Sequence, residues 1–190
     1  FPKPKIVADS IYNYLTNVGG NPGRANHSNA LEANRALYMA REEICNFFNY
    51  DKPENVIFTN NITSSLNILL NGVIKSGDHI ITSSMEHNSV IRPIYNLKNI
   101  LNIDIDIVQA NSLGIVDIND IKNLIKPNTK LIVMTHASNV VGSIQPIKQI
   151  GDLCNELGIF FILDSAQSAG VLDINFKELS LSALAFTGHK

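Results

Sequence analysis

Tryptophan is absent from this 190-residue chain, and cysteine occurs only twice. Cys45 and Cys154 stand far apart and outside any Cys-x-x-Cys spacing. Neither a disulfide framework nor a zinc site fits that pattern, so no metal is expected and a reducing cytoplasm is the expected compartment. Charge is sparse too: Asp, Glu, Lys and Arg make up 17% of the residues, with a net charge of −2. With no basic stripe, nucleic-acid binding by phosphate neutralisation is excluded. No apolar run approaches the length of a membrane span. The opening Phe1-Pro2-Lys3-Pro4-Lys5 has no apolar segment behind it and does not read as a signal peptide. Both ends read as cut.

What is present is enough for one good-sized domain with a real core: 45% of the residues are hydrophobic. Helix-like and strand-like stretches alternate. Residues 4–18 carry Ile6, Ile11, Leu15 and Val18 at helical spacing and stop at Gly19-Gly20. A longer helix is predicted over 28–49, with Ala30, Ala33, Leu37, Ala40, Ile44 and Phe47 on one side. The rhythm then shortens. Strands are predicted at 56–59, 78–83, 103–108, 130–135, 159–163 and 184–186, with helices at 63–75, 89–101, 118–125 and 146–157 between them. Strands separated by helices make an α/β fold, a mostly parallel sheet with helices on both faces. Leu131-Ile132-Val133-Met134 and Ile159-Phe160-Phe161-Ile162-Leu163 do not alternate, which suits strands buried on both sides.

In such sheets ligands bind beyond the carboxyl ends of the strands. Thr59-Asn60-Asn61-Ile62-Thr63-Ser64-Ser65 follows one predicted strand and opens a helix. Its free N–H groups form a phosphate site, or Asn61 or Thr63 simply caps the helix. Met85-Glu86-His87-Asn88 follows the next, and His87 read alone is an ordinary surface or structural histidine. Asn139, in Ser138-Asn139-Val140-Val141-Gly142, serves equally as a turn residue. Asp164 directly follows five apolar strand residues and must be paired or hydrogen-bonded if buried. The chain ends on Phe186-Thr187-Gly188-His189-Lys190, where a lysine alone is a solvated end.

Taken together these segments carry more than they do singly. Together with Gly20-Asn21-Pro22-Gly23-Arg24 and His27, with Ser143-Ile144-Gln145-Pro146-Ile147, and with Asp164-Ser165-Ala166-Gln167-Ser168-Ala169-Gly170, they resemble the class V, fold-type I enzymes that use pyridoxal 5'-phosphate (PLP). Within that class they are similar to the cysteine desulfurase and selenocysteine lyase group. The resemblance covers essentially the whole chain. It departs from the family pattern at Ile62, where many relatives have a small residue, and at Ser64, where many have Glu.

The resemblance implies a role for each matching position. Lys190 would carry PLP covalently, Asp164 would pair with the pyridine nitrogen, and His87 would stack on the ring. Asn139 and Gln167 would bond the ring oxygen. Ile62 and Thr63 in the first helical turn, with Thr187 and His189, would hold the phosphate. It also implies that residues 1–190 are a partial PLP-binding large domain, truncated and lacking a first strand, the rest of that domain and a small C-terminal domain. The implied activity converts L-cysteine or a similar amino acid to alanine, with sulfur passing to an enzyme cysteine and on to an acceptor protein, in a cytoplasmic homodimer. Selenocysteine lyase or aminotransferase activity, or a non-catalytic partner protein on the same fold, are the alternatives. Cys45 and Cys154 match no sulfur-accepting position and read as buried free thiols.

Overall fold

The computed structural model describes residues 2–23 and 27–189. Arg24 and Lys190 therefore lie outside the described residues, and so does any placement of their side chains. The chain falls into two compact units, one ending at Phe58 and one running from Thr59 to Gly188.

The first unit opens with α1 (Lys5–Asn13), which continues as a wider π-helical turn over Tyr14–Val18. Gly19 ends it in the left-handed region, φ 53°, where glycine pays no Cβ penalty. Beside it, a Cβ on Gly20 would stand 2.1 Å from the Asn29 carbonyl oxygen, so the loop closes on α2 only with glycine there. The helix α2 (Ser28–Phe47) starts at His27, whose ring accepts from the Ala30 N–H at 3.4 Å. It buries Ala30, Ala33 and Cys45.

Two sequence expectations fail in this unit. Phe47 belongs to the predicted apolar side of α2, yet it is 63% exposed while Phe48 is 4% exposed. The helix ends at Phe47, and the changed backbone direction at Phe48 sends the second ring inward. The predicted strand at 56–59 is not one. A strand needs a neighbour to pair its N–H and C=O groups, and among the described residues none pairs with this stretch. Ile57 and Phe58 stay 65% and 49% exposed.

The second unit holds the sheet. Its strands are β1 (His79–Ser83), β2 (Asp104–Val108), β3 (Thr129–Thr135), β4 (Phe160–Asp164) and β5 (Ala183–Ala185). They run in the order β2-β1-β3-β4-β5, and every pairing is parallel. The helices are α3 (Ile62–Val73), α4 (Asn88–Leu101), α5 (Ile118–Leu124) and α6 (Ile147–Leu157). The chain moves outward in one direction from β1 to β2, then crosses back to β3 and on to β4. Right-handed crossovers place α4 on one face and α6 on the other when the direction reverses in this way.

Side-chain alternation agrees with that layering. Ile80, Leu131, Val133 and Ile162 share one cluster with Leu66 and Leu70 of α3 and Val90, Ile94 and Leu97 of α4. Ile81, Ile132, Met134, Phe161 and Leu163 take the opposite positions and are fully buried. Each such Leu, Ile or Phe contributes about 1.5–3 kcal/mol through the apolar surface it removes from water. The edge strand β2 is different: Asp104 and Asp106 alternate with Ile105 and Ile107, as a half-exposed strand requires.

At the amino edge a buried polar contact fixes the register. His79 is fully buried. Its Nδ1 lies 2.7 Å from Thr129 Oγ1 and its Nε2 lies 3.1 Å from Asp106 Oδ2, which also pairs with Lys126 at 2.8 Å. The β1–β3 register slips by one residue just there, His79 facing Thr129 and Ile80 facing Leu131.

Candidate active site

The direction of the strand order reverses between β1 and β3, so the crevice beyond their carboxyl ends is the ligand position that topology favours. The loops after β1, β3 and β4 meet at that edge. The His136 N–H donates to the Asp164 carbonyl at 2.8 Å, pinning the loop after β3 to the end of β4. Gln145, buried, donates to the Gly114 carbonyl at 2.8 Å and accepts from the Val116 N–H at 3.0 Å, which ties the loop after β2 to the same group. Ser165 bonds the Ala185 carbonyl through its N–H at 2.9 Å and its hydroxyl at 3.0 Å, joining β4's loop to β5.

Asp164 closes β4 and is 3% exposed. Its Oδ1 accepts from the Ala166 N–H at 3.0 Å. Its register partner on β3 is Thr135. Glu86 reaches that partner from the loop after β1: its Oε1 accepts from the Thr135 N–H at 2.8 Å and from the Ser83 hydroxyl at 2.6 Å. Burial pushes the Glu86 carboxyl up to about 8, the charge of Asp164 adds to that rise, and the bonds from Ser83 and Thr135 oppose it. At neutral pH Glu86 is therefore an uncharged acid.

His87 is the N-cap of α4 and stays exposed. Its Nδ1 accepts from the Ser89 N–H at 3.1 Å and lies 2.8 Å from the Ser89 hydroxyl. The capping function thus fixes the ring without burying its faces. Asn139 is exposed at the tip of a turn wound around Ser138, whose hydroxyl accepts from the N–H groups of Val140 and Val141 at 3.2 and 3.4 Å. Gly142 completes that turn at φ 70°. Gln167 is half-buried in the turn after β4.

The α3 helix ends just before β1 begins, at the sheet's amino edge. Its twelve residues, about 18 Å long, carry its N-terminus to the carboxyl edge. Asn61 caps it by accepting from the Ser64 N–H at 2.9 Å. The capping alternative is thus real for Asn61, while Ile62 and Thr63 supply first-turn N–H groups that a helix cannot bond internally. Thr187 and His189 follow β5.

One observation bears on whether the edge suits a polar ligand. Among the described residues five buried side-chain polar atoms have no hydrogen-bond partner. Four of them, Thr82 Oγ1, Glu86 Oε2, His136 Nδ1 and Ser168 Oγ, belong to the carboxyl half of β1 or to the loops after β1, β3 and β4. Buried polar atoms are ordinarily satisfied, so such a concentration marks a place where a partner is wanted. The residues present fit PLP: a buried carboxylate for a ring nitrogen, an exposed imidazole face, amides for a ring oxygen and a helix N-terminus for a phosphate. A groove of about 460 Å³ along α2, lined by Leu31, Asn34, Arg35, Tyr38 and Met39, offers an amide but neither a carboxylate nor an imidazole. It is a surface feature of the first unit, and chemistry outranks size in choosing between the two.

The family model for class V aminotransferases matches residues 2–190. The chain belongs to the class V aminotransferase family. It is 35% identical over 195 aligned positions to the cysteine desulfurase IscS of Vibrio campbellii, covering 100% of this chain and 48% of that protein. Its fold is similar to the apo structure of the cysteine desulfurase from Thermococcus onnurineus NA1, with TM-score 0.91, 30% identity and coverage of 100% and 48%. It is equally similar to SspA in complex with cysteine, with TM-score 0.92, 31% identity and coverage of 99% and 55%. The chain spans about half the length of the curated relatives it matches.

Two residues of this class V chain were quoted in sequence motifs without being given a role, Glu86 and Gln145. Both act through contacts to distant loops, 49 and 29–31 residues away, that no local pattern announces. Among the described residues no cluster of three or more His, Cys, Asp or Glu could hold a metal, and no helix is long and apolar enough to cross a membrane.

Proposed function

We propose that the protein is a PLP-dependent cysteine desulfurase that binds its cofactor at the carboxyl edge of the sheet. The observation that carries this is Asp164, a buried carboxylate at the end of β4, on the same sheet edge as loops that hold unpartnered buried polar atoms. PLP supplies an electron sink for bonds at a substrate's α-carbon, deeper when its ring nitrogen is protonated. Asp164 holds that proton in place by charge attraction. The His87 ring, oriented by Ser89, covers one face of the cofactor and excludes water from it. Asn139 and Gln167 bond the ring oxygen, and the first-turn N–H groups of Ile62 and Thr63, with Thr187 and His189, hold the phosphate. Lys190 carries the cofactor and moves protons at the substrate's α-carbon.

The substrate in this reading is L-cysteine, which leaves as alanine while its sulfur passes to a thiolate and on to an acceptor protein. That thiolate is neither Cys45 nor Cys154. Both are buried, burial raises both thiols, and Cys154 is pushed up to about 12. The accepting cysteine therefore comes from outside this chain. The protein acts in the cytoplasm as a homodimer.

The test is PLP binding by the purified protein and its Asp164→Ala variant. Affinity should fall by roughly 1.5–3 kcal/mol in the variant, the worth of a charge-assisted contact. Unchanged PLP affinity in this variant would overturn the reading.

A further inference from the structure

Glu86 has the geometry of a clamp. One carboxyl oxygen accepts two hydrogen bonds at once, from the Ser83 hydroxyl at the end of β1 and from the Thr135 N–H at the end of β3. The Ser83 hydroxyl also accepts from the Met85 N–H at 3.2 Å, so the whole 83–86 turn is wound on it. The next residue is His87, whose carbonyl accepts from the N–H groups of Val90 and Ile91 at 2.9 and 3.2 Å as α4 begins. On the other side, Thr135 stands in register with Asp164. Glu86 thus ties the turn that precedes His87 to Thr135, the register partner of Asp164.

We propose that Glu86 is a positioning residue of the cofactor site, setting where His87 stands relative to Asp164 by holding the ends of β1 and β3 together. The role rests on the PLP reading above, in which His87 and Asp164 face the same ring. Its neutral form suits it. An uncharged acid accepts two hydrogen bonds through Oε1 without placing a second negative charge beside Asp164. The groups that face the carboxyl are Ser83 on β1, the Thr135 N–H on β3 and the Asp164 charge on β4. The second oxygen, Oε2, is buried and has no partner among the described residues.

Three substitutions at Glu86 separate reach from charge. Glu86→Gln keeps the length and the accepting oxygen without the titrating group. Glu86→Asp keeps the acid but shortens the side chain by one methylene, and Glu86→Ala removes both. Ser83→Ala takes one donor away and leaves the Glu86 side chain itself intact. PLP affinity, the visible absorption of the bound cofactor and its induced circular dichroism are measured for each, with the melting temperature of the cofactor-free protein. The Gln variant should bind PLP within about threefold of the parent and keep its dichroism. The Asp and Ala variants should bind at least about tenfold more weakly, the equivalent of about 1.4 kcal/mol, with reduced dichroism, and Ser83→Ala should fall between. Rescue by Gln but not Asp is the signature of a bridge of fixed length. Parent-like affinity and dichroism in the Asp and Ser83→Ala variants would overturn the role, as would a Gln variant as weak as Ala. A parent protein that binds no PLP would overturn the cofactor reading first, a result distinct from a binding parent with indifferent variants.

Discussion

Replacing Glu86 by Gln should change how stability depends on pH, and the size of the change follows from the site. In the folded protein the carboxyl keeps its proton up to about pH 8, against a reference value of 4.5. Between those values folding takes up one proton. Stability must then fall as pH rises, by up to about 1.4 kcal/mol for each pH unit. The contribution is fully present below the reference value and is lost as pH passes through the folded value. From pH 5.5 to pH 8 the loss amounts to about 3 kcal/mol, an order-of-magnitude figure. Glu86→Gln keeps the acceptor for Ser83 and Thr135 but cannot ionise, so that slope disappears. The assay is reversible urea unfolding of parent and variant at half-unit steps from pH 5.5 to 9. The two should lie close at pH 5.5, and the variant should be the more stable at pH 8.5. Parallel curves over the whole range would refute the buried, uncharged Glu86.

The amino edge gives the opposite pH dependence. Burial lowers the proton affinity of His79, and the nearby Lys126 lowers it further, against the pull of Asp106. Its contribution is present above the reference value of 6.5 and is lost as pH falls through the lowered folded value. His79→Leu should remove that acid sensitivity and cost roughly 1–3 kcal/mol at pH 7.5, because Thr129 and Asp106 lose their partner; urea unfolding at pH 5 and 7.5 reads both. Gly151 lies on the buried side of α6, where a Cβ would come 1.9 Å from the Leu179 carbonyl oxygen. Gly151→Ala should therefore destabilise the protein by about 1–3 kcal/mol despite alanine's better helix propensity, and an unchanged melting temperature would contradict this packing.

How much of this was legible in the sequence depends on whether the signal was local. The runs at 131–134 and 159–163 became β3 and β4, because continuous apolar residues have no other place than a strand buried on both faces. Asp164 was legible for the same reason, since a charge ending such a run cannot be ordinary surface. Gly19 announced the end of the first helix through its backbone freedom. The stretch at 56–59 misled because β-branched residues favour a pleated chain but do not supply a neighbour to pair with. Phe47 and Phe48 could not be told apart, because where a helix stops is decided within a residue or two. Glu86 carried no local sign at all. Its partner Thr135 is 49 residues away, and only the order of the strands brings the two together.

The central claim is that this chain holds PLP at the carboxyl edge and that Lys190 carries it. Borohydride reduction of the PLP-loaded protein, followed by proteolysis and peptide mass analysis, tests that claim directly. The account predicts one cofactor-labelled peptide, the one containing Lys190, and no label after Lys190→Ala. A label on another lysine of the parent protein, or none, would contradict it.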